Sequence, residues 1–508
     1  MTSYTNERGF TTTTTVDPMG RPLVTTLPDL DSDQNNNHKY THQWDSSSNL
    51  TRLEDPLGHA RTWSFDSMNR VLTEADALQN VTEYVWGSAG ELEAVEDPMG
   101  RVTSLEWDPA MRNTTITLPD PDGPGGPLLA PVITRSFDAA SQQTGLTDGL
   151  NRTWATEYHP RGWVSKETDP LGNEVTYGRD ANGNVVQRAE SGPGGSTPGM
   201  QGFFFDDLDR MVLYTDQLSH STTHTFDAAS RRTSTTNALG FETSFTYGAR
   251  DELRTVTTPD PDGPSNPLLP SVITFGYDLA LNRTSVSDGL NRTTTTTFDA
   301  QDRATETLDP MGGVTRVTFD LAGRMTELTD PVNNTTSWAH DHADRTTSET
   351  SPLNFTRTFV YNGADEITSV TDRNGRQRTF ARDNLGRVTG EQWLDASQNP
   401  IHTISYVHDA ASQLTSVSDA YSSYAFGYNA AGWLTSEDNT GTPGMPNVVL
   451  THGYNAFKER TSRADNLGGS TAFTFDQAHR MTGATLTVGS NTAQVAWTHD
   501  NADRVTKI

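Results

Sequence analysis

The feature that most constrains this chain is a repeat of 21 residues. A large aromatic residue followed by Asp recurs along the sequence, as in the stretch 298–331, where Phe298-Asp299 returns as Phe319-Asp320. We number each unit from this Asp, or from the residue in its place, and call that residue the origin. There are 21 units, and 13 of the 20 steps between their origins are 21 residues long. Repetition of this kind predicts one architecture that grows by adding units.

The origins are Asp45, Asp66, Gly87, Asp108, Asp138, His159, Asp180, Asp206, Asp227, Gly248, Asp278, Asp299, Asp320, Asp341, Asn362, Asp383, Asp409, Asn429, Asn455, Asp476 and Asp500. Ten residues after the origin a second marker divides the unit into two halves. It is an Asp, often followed by Pro, at Asp55, Asp97, Asp169, Asp309 and Asp330. We call the turn that begins at the origin the origin turn, and the one ten residues later the second turn.

Both turns have suitable chemistry for joining short strands. Asp accepts hydrogen bonds from the amides ahead of it, Pro fixes φ near about −65°, and Gly supplies a positive φ, so Asp-Pro-x-Gly predicts a tight turn. The Thr, Val and aromatic residues between the turns favour strands, as in Val314–Phe319. Each unit is therefore predicted to be one β-hairpin, and the fold an all-β array of about 21 consecutive antiparallel hairpins.

The aromatic residue before the origin is predicted to supply most of the buried surface. Sixteen of the 21 units carry it. The other five have Arg or His there, and each has an aromatic residue two positions earlier, which lies on the same face of a strand. One large ring per hairpin on that face is the expected structural requirement. The clearest predicted rings are Phe65, Trp107, Phe137, Phe205, Phe226, Tyr277, Phe298, Phe319 and Phe475.

Ten units carry Arg four residues after the origin, including Arg70, Arg303, Arg324 and Arg480. A guanidinium in this position can donate to a neighbouring carboxylate or carbonyl. The spacing predicts a ladder of Arg and Asp across successive units.

Composition excludes several classes of protein. The net charge is −28 and no basic stripe occurs, which argues against nucleic acid as a partner. The sequence has no run of 18 consecutive apolar residues, so no membrane-spanning helix is predicted, and its start does not resemble a signal peptide. There is no Cys, so disulfides and thiolate metal sites are excluded. An apolar content of 33% would favour disorder, but the strict periodicity overrides it.

The array is predicted to run through 1–508 as a single domain, with irregular first units in 1–44 and regular units in 45–508. Loop insertions are expected near 119–131, 191–202, 259–270, 394–402 and 439–450, where Pro, Gly or Asn accumulate. No separate C-terminal core or toxin domain is expected.

Two strings resemble metal sites. His340-Asp341-His342 has alternating His residues, but His340 occupies the ring position of an ordinary unit. The Asp-Pro-Asp-Gly strings at 120–123 and 260–263 have the spacing of a calcium loop but lack its later Glu. No spacing singles out a catalytic pair among 65 acidic residues. The sequence therefore predicts no catalytic, metal or cofactor site and no enzyme.

With its aromatic–Asp pair, Arg and Asp-Pro turn, the unit resembles the YD-repeat, or Rhs, family, whose pattern is roughly Y-D-x-x-G-R-x5-D-P-x-G-x-x-T. The closest segments are FDLAGRMTELTDPVNNTT at 319–336 and RDNLGRVTG at 382–390. The resemblance implies a long antiparallel sheet that spirals into a hollow shell, as in bacterial polymorphic toxins, insecticidal toxin complexes and teneurins. In bacterial members the shell encloses a toxic polypeptide, released by self-cleavage near D-P-x-G-L. That motif does not occur in this sequence.

The resemblance implies a non-enzymatic scaffold that encloses or displays a second polypeptide, such as a toxin from a longer parent chain. The alternative is an adhesion or carbohydrate-binding module at the cell surface, whose rings would stack on a surface glycan or protein. In either case the expected location is outside the cell or at its surface, as part of a longer protein.

Overall fold

The computed structural model describes residues 1–28, 38–193, 200–260, 269–499 and 504–507. The origin Asp500 and parts of two predicted insertions, 194–199 and 261–268, lie outside the described residues. The described part of the chain consists of β-strands joined by turns, and it contains no helix that could cross a membrane. The all-β hairpin array is confirmed.

The strands of the first half of the chain follow one another at short intervals. They are β1 Thr2–Thr5, β2 Thr11–Val16, β3 Pro22–Thr26, β4 Lys39–Trp44, β5 Leu50–Glu54, β6 Ala60–Phe65, β7 Val71–Ala75, β8 Val81–Trp86, β9 Leu92–Glu96, β10 Val102–Trp107, β11 Asn113–Thr117, β12 Val132–Phe137, β13 Gln143–Thr147, β14 Thr153–Tyr158, β15 Val164–Thr168, β16 Glu174–Arg179, β17 Val185–Ser191, β18 Met200–Phe205, β19 Met211–Thr215, β20 Ser221–Phe226, β21 Arg232–Thr236, β22 Glu242–Tyr247 and β23 Leu253–Thr257.

The second half continues the pattern. Its strands are β24 Val272–Tyr277, β25 Arg283–Ser287, β26 Thr293–Phe298, β27 Ala304–Leu308, β28 Val314–Phe319, β29 Met325–Thr329, β30 Thr335–His340, β31 Thr346–Thr350, β32 Thr356–Tyr361, β33 Ile367–Thr371, β34 Gln377–Arg382, β35 Val388–Leu394, β36 Pro400–His408, β37 Leu414–Ser418, β38 Ser423–Tyr428, β39 Leu434–Asp438, β40 Val449–Tyr454, β41 Arg460–Asp465, β42 Gly469–Phe475, β43 Met481–Val488, β44 Asn491–Ala496, β45 Thr498–His499 and β46 Val505–Lys507. The predicted insertion at 394–402 lies in a longer hairpin, because β35 and β36 extend into it.

The first 44 strands form one sheet in which each strand pairs antiparallel with the next one along the chain. Strands β45 and β46 pair separately. Sequence neighbours are thus spatial neighbours throughout, which is the pairing of a continuous meander.

The two turns share one geometry. In the second turn at Asp55, the backbone N–H of Gly58 donates to the Asp55 carbonyl, the side chain accepts the amides of Leu57 and His59, and Gly58 has φ of 84°. The origin turn at Asp66 repeats these bonds, with Asn69 at φ 64°. This is a three-residue hairpin loop closed by a residue of positive φ. The turns at Asn6 and Asp17 already have it, although 1–44 was expected to be irregular.

A β-bulge distinguishes the origin turn from the second turn. At the origin turn of Asp66 the register shifts between Ser64 and Phe65, whereas β5 and β6 pair without a shift across the second turn. The same shift recurs at the following origin turns. Because a bulge bends its strand and increases the local twist, a bulge at the same place in each unit bends the sheet repeatedly in one sense.

The bending brings distant units together. The second turn at Asp55, in the first unit, contacts the origin turn at Asp341, in the fourteenth, through stacked rings of His59 and His342. One coil of the sheet therefore spans thirteen units, or about 26 strands. At about 4.8 Å per strand the circumference is roughly 125 Å, so a circular coil is about 40 Å across. A sheet about 10 Å thick would then surround a space about 30 Å wide.

The surface area agrees with a single-layered wall. The accessible surface is 28301 Å², whereas a compact protein of 55.6 kDa exposes about 18,000 Å². Side chains in strands such as β8 and β10 alternate between exposed and half-buried, with the ring before the origin on the half-buried face. We call this the ring face.

Candidate functional site

In several units the Arg that follows the origin turn contacts three parts of the structure. Arg70 donates through Nε to Asp66 in its own turn at 2.7 Å and through Nη1 to the Gly87 carbonyl of the next unit at 3.0 Å. Its guanidinium also lies 5.4 Å from the centre of the Trp86 ring, the ring of that next unit. The Arg of one unit therefore covers the ring of the following one, a contact of about 0.5–2 kcal/mol.

The same contact recurs along the sheet. It is made by Arg21 over Trp44, Arg112 over Phe137, Arg210 over Phe226, Arg231 over Tyr247, Arg303 over Phe319 and Arg345 over Tyr361. We call these repeated contacts the ladder. The ladder thus alternates rings with guanidinium groups along the sheet.

The polar tip of the ring fastens it to the preceding hairpin. Trp86 donates from Nε1 to the Val71 carbonyl at 2.7 Å, and Trp107 donates to the Leu92 carbonyl at 2.8 Å. Two units with Arg in place of the ring keep this bond: Arg179 donates to the Val164 carbonyl, and Arg382 to the carbonyl of Ile367. All four acceptors lie 15 residues before their donors. A long side chain with a terminal N–H can therefore replace the ring and keep this bond, which explains these substitutions.

The predicted site residues occupy equivalent places in their units. All nine predicted rings are half-buried at the ends of their strands. Each predicted second-turn Asp accepts two backbone amides through Oδ1: Asp55, Asp97, Asp169, Asp309 and Asp330. Each predicted Arg pairs with the Asp of its own origin turn: Arg70, Arg303, Arg324 and Arg480.

These bonds hold the turn carboxylates in their charged form. A hydrogen bond from the Arg side chain lowers the pKa of Asp108, Asp206 and Asp227 below its usual range, with backbone amides adding to the effect. At Asp330 the side chain of Asn334 has the same influence on the pKa. The turn carboxylates therefore act as structural acceptors.

A second column of rings was missed by the sequence analysis. Eight units carry an aromatic residue at the ring position and another two residues earlier, on the same face; the second rings are Trp63, Tyr84, Phe203, Phe245, Phe275, Phe359, Phe426 and Phe473. Phe203 contacts Tyr214 across the strand pair, with ring centres 5.4 Å apart. The two-residue spacing of these rings is visible in the sequence, but it was interpreted only in the five units that have Arg or His at the ring position.

The other surface formed by the fold is the line where successive coils meet, which we call the seam. Second turns of the first coil lie against origin turns of the second coil. Arg101 donates to Glu366 at 3.0 Å, and Arg152 donates to Gln413 at 2.7 Å. These partners are 265 and 261 residues apart in sequence.

The start of the chain and one Pro-rich insertion also join the seam. Arg8 donates to the carbonyls of Phe298 and Asp299 and to Asp302, at 2.6–2.8 Å. Asn384 donates from its side chain to the Asp120 carbonyl at 2.8 Å and from its backbone to the Pro121 carbonyl at 2.9 Å. The calcium-like string at 120–123 is therefore a docking segment between coils in this structure.

The metal candidate His340-Asp341-His342 is divided by the fold. Asp341 accepts the side chain and amide of Arg345, as in any other unit. His340 ends strand β30, and burial lowers its pKa. His342 instead lies on the seam, stacked on His59 with ring centres 4.3 Å apart.

Parts of the chain match the model of a known repeat family. The RHS Repeat family model matches residues 158–197, 298–335, 319–356 and 361–392. The chain therefore contains segments similar to the RHS repeat. No curated protein sequence matches it.

A solved structure shares the fold of this chain. The crystal structure of TcdB2-TccC3 without its hypervariable C-terminal region has a TM-score of 0.66 and 12% identity, over 97% of this chain and 30% of that one. The Photorhabdus luminescens Tc holotoxin pore with a TccC3 mutation has a TM-score of 0.48 and 12% identity, over 96% and 28%. The chain thus spans under a third of the solved chains.

Proposed function

We propose that this chain is a non-enzymatic wall segment of a hollow shell that encloses a second polypeptide. The observation that carries the proposal is the seam. A sheet of hairpins could remain an open ribbon, but polar contacts over 261–294 residues join its coils edge to edge. A wall one sheet thick around a space about 30 Å wide is suited to containing an unfolded or partly folded chain.

The chemistry of the repeat supports a structural role over catalysis. Turn carboxylates such as Asp66 and Asp227 already accept two backbone amides and an Arg side chain. A carboxylate engaged in this way is a poor general base, because its pKa is held low.

The covered faces of the rings argue against the alternative, an adhesion or glycan-binding module. Stacking on a sugar requires an open ring face. In the ladder, rings such as Trp86 and Tyr361 are covered by the Arg of the preceding unit and donate to a backbone carbonyl. The enclosed partner is expected to be a polypeptide such as a toxin, and the shell to act outside the cell or at its surface.

The absence of cysteine offers a direct test of enclosure. A flexible polypeptide with one Cys, fused after Ile508, would contain the only thiol of the molecule. Enclosure predicts that this thiol reacts readily with a small maleimide but several-fold more slowly with a large polymer-linked maleimide. The same polypeptide on an unrelated carrier is the control, and equal rates with the large reagent on both carriers would refute the proposal.

A variant of the seam sharpens the test. If the coils form the container, Arg101→Ala together with Glu366→Ala should increase the rate with the large reagent and leave the rate with the small one unchanged. A cryo-EM map of the purified chain provides an independent check. A hollow spiral supports the proposal, whereas a flat sheet would exclude it.

A further inference from the structure

A group of metal-ligating side chains lies on the seam and is built from both coils. Asp55 and His59 belong to a second turn of the first coil, and Asp344 belongs to an origin turn of the second. One possible ligand atom from each of these residues lies within 4.8 Å of the other two. The sequence analysis predicted no metal site because the two parts are distant in sequence.

His59 makes an unusual contact inside this group. Its Nδ1 is buried and lacks a well-aligned hydrogen bond, although Asp55 Oδ2 lies 3.2 Å away. The pair Asp216 and His220 has the same four-residue spacing in another second turn, and there Nδ1 forms a hydrogen bond of 3.0 Å with Oδ2. A second turn can therefore hydrogen-bond a His side chain through Nδ1, as at His220, whereas Nδ1 of His59 has no well-aligned bond of this kind.

A cavity beside the group leaves room for an ion and its water ligands. A cavity of about 310 Å³ adjoins the group and is lined by Tyr40, Arg61 and His342 as well as the three candidate ligands. Desolvation raises the pKa of Tyr40, and the charges of Asp55 and Asp344 raise it further. One oxygen of Asp344 accepts a hydrogen bond from Arg324 at 3.0 Å, which orients the carboxylate and leaves its other oxygen available.

We propose that Asp55, His59 and Asp344 bind one divalent transition-metal ion that fastens the first coil to the second. One imidazole nitrogen and two carboxylates suit Zn²⁺ and its first-row neighbours, with water completing a tetrahedral site. The ion would bind the unprotonated nitrogen of neutral His59, whose other nitrogen keeps its proton, and a protonated His59 would first release one proton to the solvent. Because its ligands come from both coils, the ion would stabilise the seam in the way that a cross-link closes a long loop.

Zinc binding to the full chain tests the site. In equilibrium dialysis with ZnCl2, the unmodified chain should bind one Zn²⁺ tightly, and His59→Ala and Asp344→Asn should each weaken that binding at least about 100-fold. His220→Ala is the matched control and should bind like the unmodified chain. Zinc binding that is equally tight in Asp344→Asn, or tight binding lost equally in His220→Ala, would overturn the proposal, as would no tight zinc in the unmodified chain.

A stability measurement distinguishes a seam site from zinc held by one turn. Zinc should raise the melting temperature of the unmodified chain and of His220→Ala, but not that of Asp344→Asn. The Asp344 side chain is 60% exposed, and its backbone has a positive φ, which Asn tolerates, so this variant is expected to fold. A zinc-induced rise of the same size in Asp344→Asn would contradict a site shared between coils.

Discussion

The ladder within a coil and the seam between coils are built from similar turns but by different rules. In the ladder each contact is nearly the same: an Arg pairs with its own Asp and covers the ring of the next unit, as with Arg70 and Trp86 or Arg345 and Tyr361. On the seam nearly every contact differs. The contact is an ion pair at Arg101, a hydrogen bond from the side-chain amide at Asn384 and a pair of stacked rings at His59.

The difference shows how a repeat protein obtains both regularity and a defined size. Ladder contacts join units that are adjacent in sequence, so one motif copied many times satisfies them all. Seam contacts join units twelve or thirteen positions apart, and they depend on how strongly the sheet has curved at that point. Insertions change the number of residues between the two partners, so each seam contact is made by a different combination of side chains. Ladder contacts hold adjacent units together within a coil, and seam contacts determine where one coil lies against the next.

The largest expected effect is that acid weakens the turns throughout the ladder. The pKa values of Asp108, Asp206 and Asp227 are lowered in the folded chain by hydrogen bonds from Arg side chains. Stability from such groups is complete above the ordinary Asp pKa of about 3.9 and is lost as the pH falls through the lower folded values. The urea midpoint should therefore decrease as the pH falls below about 4.

A triple variant isolates this effect from the general charge of the chain. Asp108→Asn, Asp206→Asn and Asp227→Asn keep an acceptor in each turn but remove the charge. This variant should be less stable than the unmodified chain at pH 7 and should approach it at low pH. A constant difference between the two across the pH range would show that the carboxylate charge is unimportant.

Removing two rings of the ladder should have the next largest effect. Phe298→Ala with Phe319→Ala removes two half-buried rings, one of which lies 4.4 Å below Arg303. Full burial of a Phe is worth about 3–5 kcal/mol against Ala, so the half-buried pair should lower the free energy of unfolding by about 3–5 kcal/mol in total. Urea unfolding followed by circular dichroism measures the loss.

The matched control changes the opposite face of the same strands. Thr297→Ala with Thr318→Ala alters two exposed positions next to the rings. The expected loss is below about 0.5 kcal/mol per site. Equal losses in the two double variants would mean that the ring face contributes no special burial.

A smaller effect is expected on the seam. The Arg101 and Glu366 side chains are 13% and 17% exposed and 3.0 Å apart. A double-mutant cycle of Arg101→Ala and Glu366→Ala should give a coupling energy of about 1–2 kcal/mol. Arg292→Ala is the control, since Arg292 pairs with Asp288 in its own second turn and is 64% exposed. A coupling near zero would mean that the coils touch without stabilising each other.

The smallest expected effect is a gain in stability at a single origin turn. Met111 has φ of 60° at the position where Gly323 has φ of 88° in its own unit. A side chain at positive φ costs about 1 kcal/mol, so Met111→Gly should stabilise the chain by a few tenths to about 1 kcal/mol. The reverse change, Gly323→Ala, should destabilise it. Thermal melts of both variants check the prediction, and a loss of stability in Met111→Gly would refute it.

Much of the local structure could be predicted because its causes lie within a few residues. Asp-Pro-x-Gly defines a turn wherever it occurs, and the aromatic–Asp pair marks the end of a strand. The Arg four residues after the origin pairs with the Asp of its own turn, as at Arg70 and Asp66. Its contact with the ring of the next unit was not predicted. That contact depends on the pairing of one hairpin with the next, which the spacing within a unit does not reveal.

The sequence by itself determined that this chain is a continuous run of antiparallel hairpins, because each turn and strand is encoded inside its own 21 residues. Only the tertiary structure decided which turns meet across the seam, because curvature accumulates from a small bend at every bulge over thirteen units. Asp55, His59 and Asp344 are ordinary turn residues in the sequence. They become a possible metal site only because a coil of this size brings them within 4.8 Å of one another.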